Sequence, residues 1–218
     1  MIDGIKDIID KLTDVIWINR RVIIMLLFSI LFIGILDNVV DEDIYKFDVA
    51  GYELVTSHMS DAMTLFAKFI TKMANPVILV LISFSLFFAI KNKRIRWSII
   101  INVVVAALLN FIIKNIIQRP RPIGHRLINE KGYSFPSGHS MVSMAFYGYL
   151  IYIINKNVDN KAIRITATIL LTALIVLIGL SRIYLGVHYT SDVCGGFCVA
   201  LSYLMLYTGV LKWMENKK

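Results

Sequence analysis

The chain has 218 residues, of which 57% are hydrophobic and 17% are charged. Soluble domains carry about 25% charged residues, so this composition argues against an ordinary soluble domain and favours a membrane protein. The formal net charge of +8 is interpreted as a matter of membrane topology and phospholipid contact, and no nucleic-acid partner is expected.

Six apolar stretches are candidate membrane spans, although several are shorter than the ~20 residues of an ideal spanning helix. They cover residues 22–36, 76–90, 97–113, 141–154, 165–180 and 193–211. We therefore predict an all-α integral membrane bundle of six transmembrane helices with interfacial amphipathic helices. A soluble helical bundle with fewer true spans is the weaker alternative, since six such runs leave almost no polar helical surface.

Two further segments are predicted to form amphipathic helices. In residues 1–20, one helical face carries the apolar residues Ile2, Ile5, Ile9, Leu12 and Ile16. Near the end of the connection 37–75, one face likewise carries Met59, Met63, Phe66, Phe69, Ile70 and Met73. Both suit helices that lie along the membrane interface, and packing against the bundle fits them equally well. Residues 1–218 are expected to form one domain whose helical core is 76–211.

The charges of the connecting loops predict the orientation in the membrane. The loop 91–96 (KNKRIR) has four basic residues and no acid, and the segment 155–164 and the C-terminus are also basic. Basic loops stay on the cytoplasmic side, whereas the connection 37–75, with seven acids and three lysines, should lie outside. Both termini are then cytoplasmic, and no cleavable signal peptide is expected.

Polar clusters stand at four ends of predicted spans. They are KNIIQRPRP (residues 114–122), SFPSGHS (134–140), Ser181 with Arg182, and the stretch from His188 to Asp192. The predicted topology places all four on the external side. The clusters concentrate positive charge at one membrane face with few carboxylates to cancel it, which indicates a site for an anion; the cations are Lys114, Arg119, Arg121 and Arg182.

The residue types in these clusters suit phosphoryl transfer. Arginine matches phosphate oxygens, and the turn at Ser137 and Gly138 begins a helix whose free N–H groups can hold an anion. His188 and Asp192 are spaced i, i+4, so the carboxylate can orient the imidazole as a nucleophile while His139 protonates a leaving oxygen. The pattern predicts a phosphohistidine intermediate and needs no metal or other cofactor, because the cations can stabilise the transition state. His58 and His125 are interpreted as structural, and a substrate contact by His125 and the adjacent Arg126 is the alternative for that pair.

These residues resemble the signature of the type 2 phosphatidic acid phosphatase superfamily. Its three parts are Lys-x6-Arg-Pro, Pro-Ser-Gly-His and Ser-Arg-x5-His-x3-Asp. They are matched in order by Lys114, Arg121 and Pro122, by Pro136, Ser137, Gly138 and His139, and by Ser181, Arg182, His188 and Asp192. The resemblance covers the chain from about Pro76 to the C-terminus.

The resemblance implies roles for the matched residues. His188 would be the nucleophile, Asp192 its partner and His139 the acid for the leaving group. The phosphate would be bound by Lys114, Arg121, Ser137, Gly138 and Arg182. Arg119 falls outside the signature and is a candidate substrate contact.

The resemblance also implies a substrate class and a location. Similar small membrane phosphatases of bacteria act on undecaprenyl pyrophosphate, phosphatidylglycerol phosphate or phosphatidic acid, and undecaprenyl pyrophosphate is the first choice here. The expected location is the plasma or inner membrane, with lipid phosphate and membrane lipids as partners and no obligatory protein partner. A lipid phosphotransferase that uses the same site is one alternative, and a non-catalytic membrane protein that binds lipid or anions is another.

Overall fold

The computed structural model describes residues 2–124 and 126–217, with side chains from residue 19 onward. This part of the chain contains eight α-helices. No strand occurs in that part, so the prediction of an all-α fold is confirmed. The helices are α1 (Ile2–Val40), α2 (Tyr45–Thr56), α3 (Asp61–Lys72), α4 (Pro76–Ala89), α5 (Lys93–Ile117), α6 (Gly138–Asn157), α7 (Lys161–Tyr184) and α8 (Thr190–Asn216).

Local sequence signals fix where the helices begin and end. The side chains of Asn92, Ser137 and Asn160 accept hydrogen bonds from backbone N–H groups in the first turns of α5, α6 and α7. Helix α5 ends at Gln118, which has a left-handed φ of 53°, and the prolines at 120 and 122 cannot continue it. The basic residues that follow α5 are therefore carried on a stiff loop.

Four helices are long and apolar enough to cross a membrane by themselves: the part of α1 from Asn19 to Val40, α5, α7 and α8. A fifth span is formed if α3 and α4, which meet at a bend of 51°, cross together. Large apolar side chains such as Ile30, Phe111 and Leu170 are exposed on these helices, as lipid contact requires. The structure thus describes a membrane protein with four or five candidate spans.

The predicted count of six spans is not confirmed, and the reason lies in α4 and α6. Helix α4 has 14 residues. At 1.5 Å per residue it is about 21 Å long, less than the ~30 Å of the hydrocarbon core. Helix α6 mixes its apolar residues with serine, glycine and tyrosine and packs among α5, α7 and α8, so much of its surface faces protein.

The N-terminal segment differs from the prediction. Residues 2–40 form one continuous helix, so no break separates a surface helix from the first span near residue 20. Neither glycine nor proline occurs in residues 5–33, so nothing local interrupts the helix there. The apolar face predicted for residues 2–16 lies outside the described side chains.

Helices α2 and α3 of the connection pack against the bundle. Helix α3 contacts α7 through Ala67, Ile70 and Thr71, whereas Met63 and Phe69 are exposed. Its predicted apolar face is therefore divided between protein and surroundings. Helix α2 contacts both α7 and α8. The connection thereby covers the end of the bundle at which α7 ends and α8 begins.

Helices α5 to α8 alternate in direction, so the loops that join them lie at the two ends of the bundle. At one end Lys156 of α6 pairs with Glu215 of α8, and Arg21 of α1 donates to the carbonyl of Thr208. The opposite end holds the end of α5, the start of α6, the end of α7 and the start of α8. All four polar clusters of the sequence belong to that second end.

Candidate active site

His188 and Asp192 face each other at the turn between α7 and α8. The distance from His188 Nδ1 to Asp192 Oδ2 is 3.2 Å, and the two side chains are 2% and 0% exposed. The backbone N–H of Tyr189 donates to the same carboxylate oxygen at 2.9 Å. This i, i+4 pair is thus anchored by the first turn of α8, in the arrangement that orients an imidazole.

Arg121 reveals which nitrogen of His188 carries the proton. Its Nη1 lies 3.2 Å from His188 Nε2. Because a guanidinium can only donate hydrogen bonds, Nε2 must accept, and the ring proton resides on Nδ1 facing Asp192. The lone pair of Nε2 therefore points towards a cationic group, where a phosphate would also bind.

Burial keeps this imidazole neutral. Removal from water lowers the pKa of His188 to about 4, against the opposing hydrogen bond and charge of Asp192, while Arg182 and Arg121 lower it further. A neutral imidazole has a free lone pair, so the group is available as a nucleophile through the physiological pH range.

Backbone carbonyls hold Arg121 in place. It donates to the carbonyl oxygens of Val187 at 2.9 Å, Gly132 at 3.0 Å and Lys131 at 3.1 Å. Burial lowers the pKa of the Arg121 guanidinium, which nevertheless stays a cation because its ordinary value is so high. The loop before α6 therefore wraps around this arginine and fixes its direction.

Ser134 is a member of the site to which the sequence analysis gave no role. Its hydroxyl donates to Asp192 Oδ2 and lies 3.3 Å from His188 Nδ1. It stands two residues before the Pro-Ser-Gly-His motif, and its position in the cluster SFPSGHS was the available signal. The hydroxyl gives the carboxylate a second fixed donor beside the imidazole.

The start of α6 is held against α8. The N–H of Ser137 donates to the carbonyl of Asp192 at 2.9 Å, and its side-chain oxygen caps α6 by accepting from the N–H of Ser140. A Cβ added to Gly196 would lie 2.9 Å from the carbonyl oxygen of Ser137, so close approach requires glycine there. At this helix start, burial lowers the pKa of His139 well below its ordinary value, and Arg182, His188, Arg121 and Lys114 lower it further.

Lys114 and Arg182 complete the positive cluster. Lys114 Nζ donates to the carbonyls of Tyr133 at 2.6 Å and Ser134 at 3.2 Å. Arg182 is 1% exposed and donates from Nη1 to Thr71 Oγ1 at 2.7 Å. Its Nε is buried without a hydrogen-bond partner among the described atoms. A buried donor of this kind is a candidate contact for a phosphate oxygen.

Glu130 occupies part of this positive cluster. Its Oε1 accepts from Arg182 Nη2 at 2.6 Å. Partial burial alone would raise the pKa of Glu130, but the hydrogen bond and charge of Arg182 hold it below the usual value. The carboxylate therefore acts as an anion beside the residues predicted to bind phosphate.

Arg119 lies beside the catalytic pair but contacts carboxylates. Nη1 is 2.7 Å from Asp192 Oδ1, and Nη2 is 2.7 Å from Oδ2 of Asp48 on α2. Burial alone would lower the pKa of Arg119, and these two carboxylates raise it above its ordinary value. The substrate contact predicted for Arg119 stays a prediction. Asp48 was missed because it lies 71 residues from Arg119 in a connection with no motif.

Two cavities open beside these residues. One of about 410 Å³ reaches His188 and is lined by α2, by residues 122–124 and by the turn before α8. The other, of about 440 Å³, lies among the ends of α1 and α5 and the start of α2. Tyr45, Asp48 and Tyr189 line both cavities, so α2 stands between two approaches to the site.

Two of the four histidines, His58 and His125, lie outside the motifs. His58 is exposed, and its Nδ1 lies 2.9 Å from Ser57 Oγ. His125 lies outside the described residues. Within the described part of the chain, no group of three or more His, Cys, Asp or Glu side chains is arranged to hold a metal ion.

Comparison with known proteins places the chain in a family. The profile of the PAP2 superfamily matches residues 95–216. Phosphatidylglycerophosphatase B of Bacillus subtilis (strain 168) is 39% identical over 107 residues, which are 47% of this chain and 51% of that protein. Lipid phosphate phosphatase delta of Arabidopsis thaliana is 25% identical over 116 residues, 48% of this chain and 28% of that protein. The matched stretch thus spans about half of the first curated relative and 28% of the second.

Solved structures extend the likeness over most of the chain. The crystal structure of a transmembrane PAP2-type phosphatidylglycerolphosphate phosphatase from Bacillus subtilis is similar with a TM-score of 0.78 and 26% identity. The match covers 86% of this chain and 96% of that one. Aquifex aeolicus LpxE shares the fold with a TM-score of 0.58 and 21% identity, over 71% of this chain and 92% of that one. The chain belongs to the PAP2 superfamily, as its three signature motifs predict.

Proposed function

We propose that the protein is a membrane lipid phosphatase that works through a phosphohistidine on His188. One observation carries the proposal: Nδ1–H of His188 faces Asp192, and the lone pair of Nε2 faces the guanidinium of Arg121. A phosphate bound by that guanidinium would lie within reach of a nucleophilic nitrogen. In-line attack requires phosphorus to lie in front of that lone pair, with the leaving oxygen on the far side of phosphorus.

The reaction would proceed in two steps. In the first, His139, which is neutral in the free site, takes a proton from the bound lipid phosphate and gives it to the lipid oxygen, while His188 Nε2 forms a bond to phosphorus and the bond from phosphorus to that oxygen breaks. In the second, water attacks phosphorus, the bond to Nε2 breaks, and His139 passes a proton from the water to the departing phosphate. Inorganic phosphate and the dephosphorylated lipid are the products, and both histidines return to their starting states.

Fixed cations would stabilise the charge that develops on the phosphoryl oxygens. Arg121 and Arg182 provide planar donor groups, Lys114 adds a third charge, and α6 begins with backbone N–H groups that can hold an anion. Ser137 accepts a hydrogen bond as the cap of α6, but its own hydroxyl proton can still be donated to phosphate. These groups are sufficient for a reaction without a metal ion.

The comparisons support phosphatidylglycerol phosphate as the first substrate to test. Two matches from Bacillus subtilis are named for that activity. The curated relative is 39% identical to this chain over 107 residues, and the solved structure is 26% identical in sequence. Undecaprenyl pyrophosphate, the first choice from the sequence, becomes the second. Both lipids place a phosphate at headgroup depth, where the end of the bundle that holds the site would meet it.

The site is assigned to the external face of the plasma or inner membrane, with both termini in the cytoplasm. The basic stretch 91–96, of which 93–96 form the first turn of α5, and the basic segment 155–164 lie at the end of the bundle opposite the site. Since basic loops are retained in the cytoplasm, the site end faces outward.

Phosphate release by the purified protein in EDTA tests this function. The assay compares phosphatidylglycerol phosphate with undecaprenyl pyrophosphate, with His188→Ala as the blank. We expect metal-independent release that vanishes in the variant. Release that needs a metal, or that persists in His188→Ala, would refute the mechanism.

Two other outcomes would select the alternatives. If phosphate leaves the substrate only when a hydroxylated lipid or sugar acceptor is added, and appears on that acceptor, the protein is a phosphotransferase. If lipid phosphate binds without any turnover, the protein is a non-catalytic lipid-binding protein.

A further inference from the structure

Asp48 and Arg119 form a chain of ion pairs that ends at the catalytic carboxylate. Arg119 bridges Oδ1 of Asp192 and Oδ2 of Asp48, and both distances are 2.7 Å. Asp48 is 4% exposed although it belongs to the connection between α1 and α3. Neither residue is part of the family signature quoted above.

We propose that Asp48 and Arg119 are positioning residues. Asp48 fixes the guanidinium of Arg119 against Asp192, and this contact sets the orientation and charge of the Asp192–His188 pair. The inference rests on the proposed function, because the pair matters for turnover only if His188 is the nucleophile. The proposal gives α2 a role in the reaction, although no residue of α2 belongs to the signature motifs.

The contacts of Arg119 leave its plane little freedom. Besides the two carboxylates, Nη1 donates to Ser191 Oγ at 2.8 Å. The guanidinium carbon lies 4.1 Å from the centre of the Tyr189 ring, and Tyr189 is the neighbour of His188. A guanidinium held by several donor contacts and a ring face is fixed in direction as well as in position.

The contacts of Asp48 account for its burial. Its carboxylate accepts from the N–H of Ser191 at 2.8 Å and from Ser191 Oγ at 2.9 Å, in addition to Arg119. These bonds attach α2 to the first turn of α8, which carries Asp192. Gly51, one turn later on α2, lies so close to Thr190 that a Cβ there would clash with the threonine side chain.

The two carboxylate oxygens of Asp192 have different partners, which explains why the ion pairs of Asp48 and Arg119 can affect catalysis. Oδ2 serves His188, Ser134 and the N–H of Tyr189, whereas Oδ1 serves Arg119. A cation on Oδ1 weakens the pull of the carboxylate on the imidazole proton, and Asp48 in turn offsets part of that cation's charge. Arg119→Gln removes the cation, whereas Asp48→Asn keeps an oxygen acceptor for Arg119 and removes only the charge that offsets it. The two changes should therefore affect His188 in opposite directions.

Histidine-selective ¹⁵N NMR in detergent micelles tests the inference directly. The chain has four histidines, and the signals absent from His188→Gln identify the His188 ring. Its protonation is followed from neutral pH downward in wild type, Arg119→Gln and Asp48→Asn. The charged groups around the ring that contribute to its titration are Asp192, Arg121, Arg182, His139 and Glu130, and all are unchanged in these variants.

We expect the ring to protonate at higher pH in Arg119→Gln and at lower pH in Asp48→Asn. Exposed residues provide matched controls with the same changes of charge: Arg94→Gln at the opposite end of the bundle and Asp43→Asn in the same connection should leave the titration where it is in wild type. An unchanged titration in both test variants, or shifts in the same direction, would overturn the inference.

Turnover in the same samples separates orientation from folding. We expect kcat to fall about ten- to a hundredfold in Arg119→Gln, the range for residues that orient a catalytic group through one intermediary, with a smaller change in KM. Arg119→Lys, which keeps the charge, should recover part of kcat. A variant that only loosened the fold would move the titrations of His139 and His188 together towards that of a free histidine, and this outcome would also overturn the inference.

The design separates failure of the inference from failure of the proposed function. If the wild-type protein releases no phosphate from any lipid tested, the phosphatase proposal fails, while the ring titrations still decide whether Arg119 and Asp48 control His188. If the wild type turns over and the titrations do not move, the function stands and the inference fails.

Discussion

His188 combines two properties that a nucleophile needs, a fixed tautomer and a neutral ring. Arg121 donates to Nε2, and Asp192 accepts from Nδ1, so the ring cannot reverse its protonation without losing both bonds. Burial opposes the imidazolium form. The single pair of residues predicted from i, i+4 spacing thus depends on a third residue, Arg121, which the sequence assigned to phosphate alone.

The acidic limb of the pH profile should report this neutral ring. A pKa near 4 means that His188 stays unprotonated until the pH falls far below the ordinary histidine value of about 6.5. We therefore expect kcat/KM to persist at mildly acidic pH and to fall only as the pH approaches the lowered pKa. The lipid phosphate also ionises in this pH range and can produce a limb of its own in the profile. Its second pKa, measured separately by ³¹P NMR in the same micelles, identifies that contribution. A limb from the enzyme centred on the ordinary histidine value would contradict the account.

Glu130 should oppose substrate binding while it supports folding. Its carboxylate holds Arg182, so a phosphate must compete with it for the guanidinium. In Glu130→Gln we expect KM to fall about fivefold, since a charge pair at contact distance in a water-like surrounding is worth about 1 kcal/mol. The melting temperature should fall as well, because Arg182 is left buried with one fewer anionic partner. Asp159→Asn, an exposed change at the other end, is the control, and a raised KM in Glu130→Gln would contradict this role.

At the scale of elements, α8 acts as the support on which the other parts of the site are assembled. Its first turn carries Asp192 and receives Asp48 from α2, and the carbonyl of Asp192 receives the N–H of Ser137 before α6. Gly196 allows the start of α6 to approach within backbone contact. Small displacements of α8 should therefore alter several contacts of the candidate active site at once.

Two glycines of α8 provide a matched test of that support. Gly196→Ala places a Cβ 2.9 Å from the carbonyl of Ser137, whereas a Cβ at Gly209 meets nothing within 4 Å. We expect Gly196→Ala to lose about 1–3 kcal/mol of stability through overpacking and to lose much of its activity. Gly209→Ala should keep full activity and gain up to about 1 kcal/mol from better helix propensity. Equal behaviour of the two variants, by melting temperature and turnover, would refute the role of close approach.

The sequence predicted the parts of the site that short motifs encode. The motifs combine particular residue types at fixed spacings, and this made four residues of the site recognisable: His188, Asp192, Arg121 and Arg182. Ser134, Asp48 and Thr71 could not be assigned, because each is an ordinary polar residue whose partner lies far along the chain; Thr71 meets Arg182 across 111 residues. Such contacts follow from how α2, α3 and the loop before α6 pack against the bundle, which helical periodicity does not specify.

The span count illustrates a second limit of prediction from sequence. Apolar runs predict burial away from water, but they do not distinguish lipid from protein as the surrounding medium. Helix α6 is surrounded by α5, α7 and α8, and α4 is short and joined to α3 at a bend of 51°. Both produce apolar runs in the sequence, although neither alone meets the length and composition of a span.

At the scale of the whole molecule, the separation of charge between the two ends predicts the topology. The basic loop 91–96 lies at one end, and the acidic connection 37–75 covers the other. In right-side-out membrane vesicles, a membrane-impermeant maleimide should label Asp43→Cys, whereas Lys91→Cys should react only in inverted vesicles. The native Cys194 and Cys198 are replaced by alanine in both proteins to remove background. The reverse labelling pattern would place the site in the cytoplasm.

Trapping the phosphorylated enzyme tests the central claim most directly. An aryl phosphate labelled on phosphorus is used, because its leaving group needs no proton from His139. We expect a labelled protein that is stable in base and labile in acid, as a phosphohistidine is. The label should be absent from His188→Ala and should accumulate in His139→Ala, where water attack lacks its base. Label retained in His188→Ala, or phosphate release by His139→Ala without any labelled protein, would contradict His188 as the nucleophile.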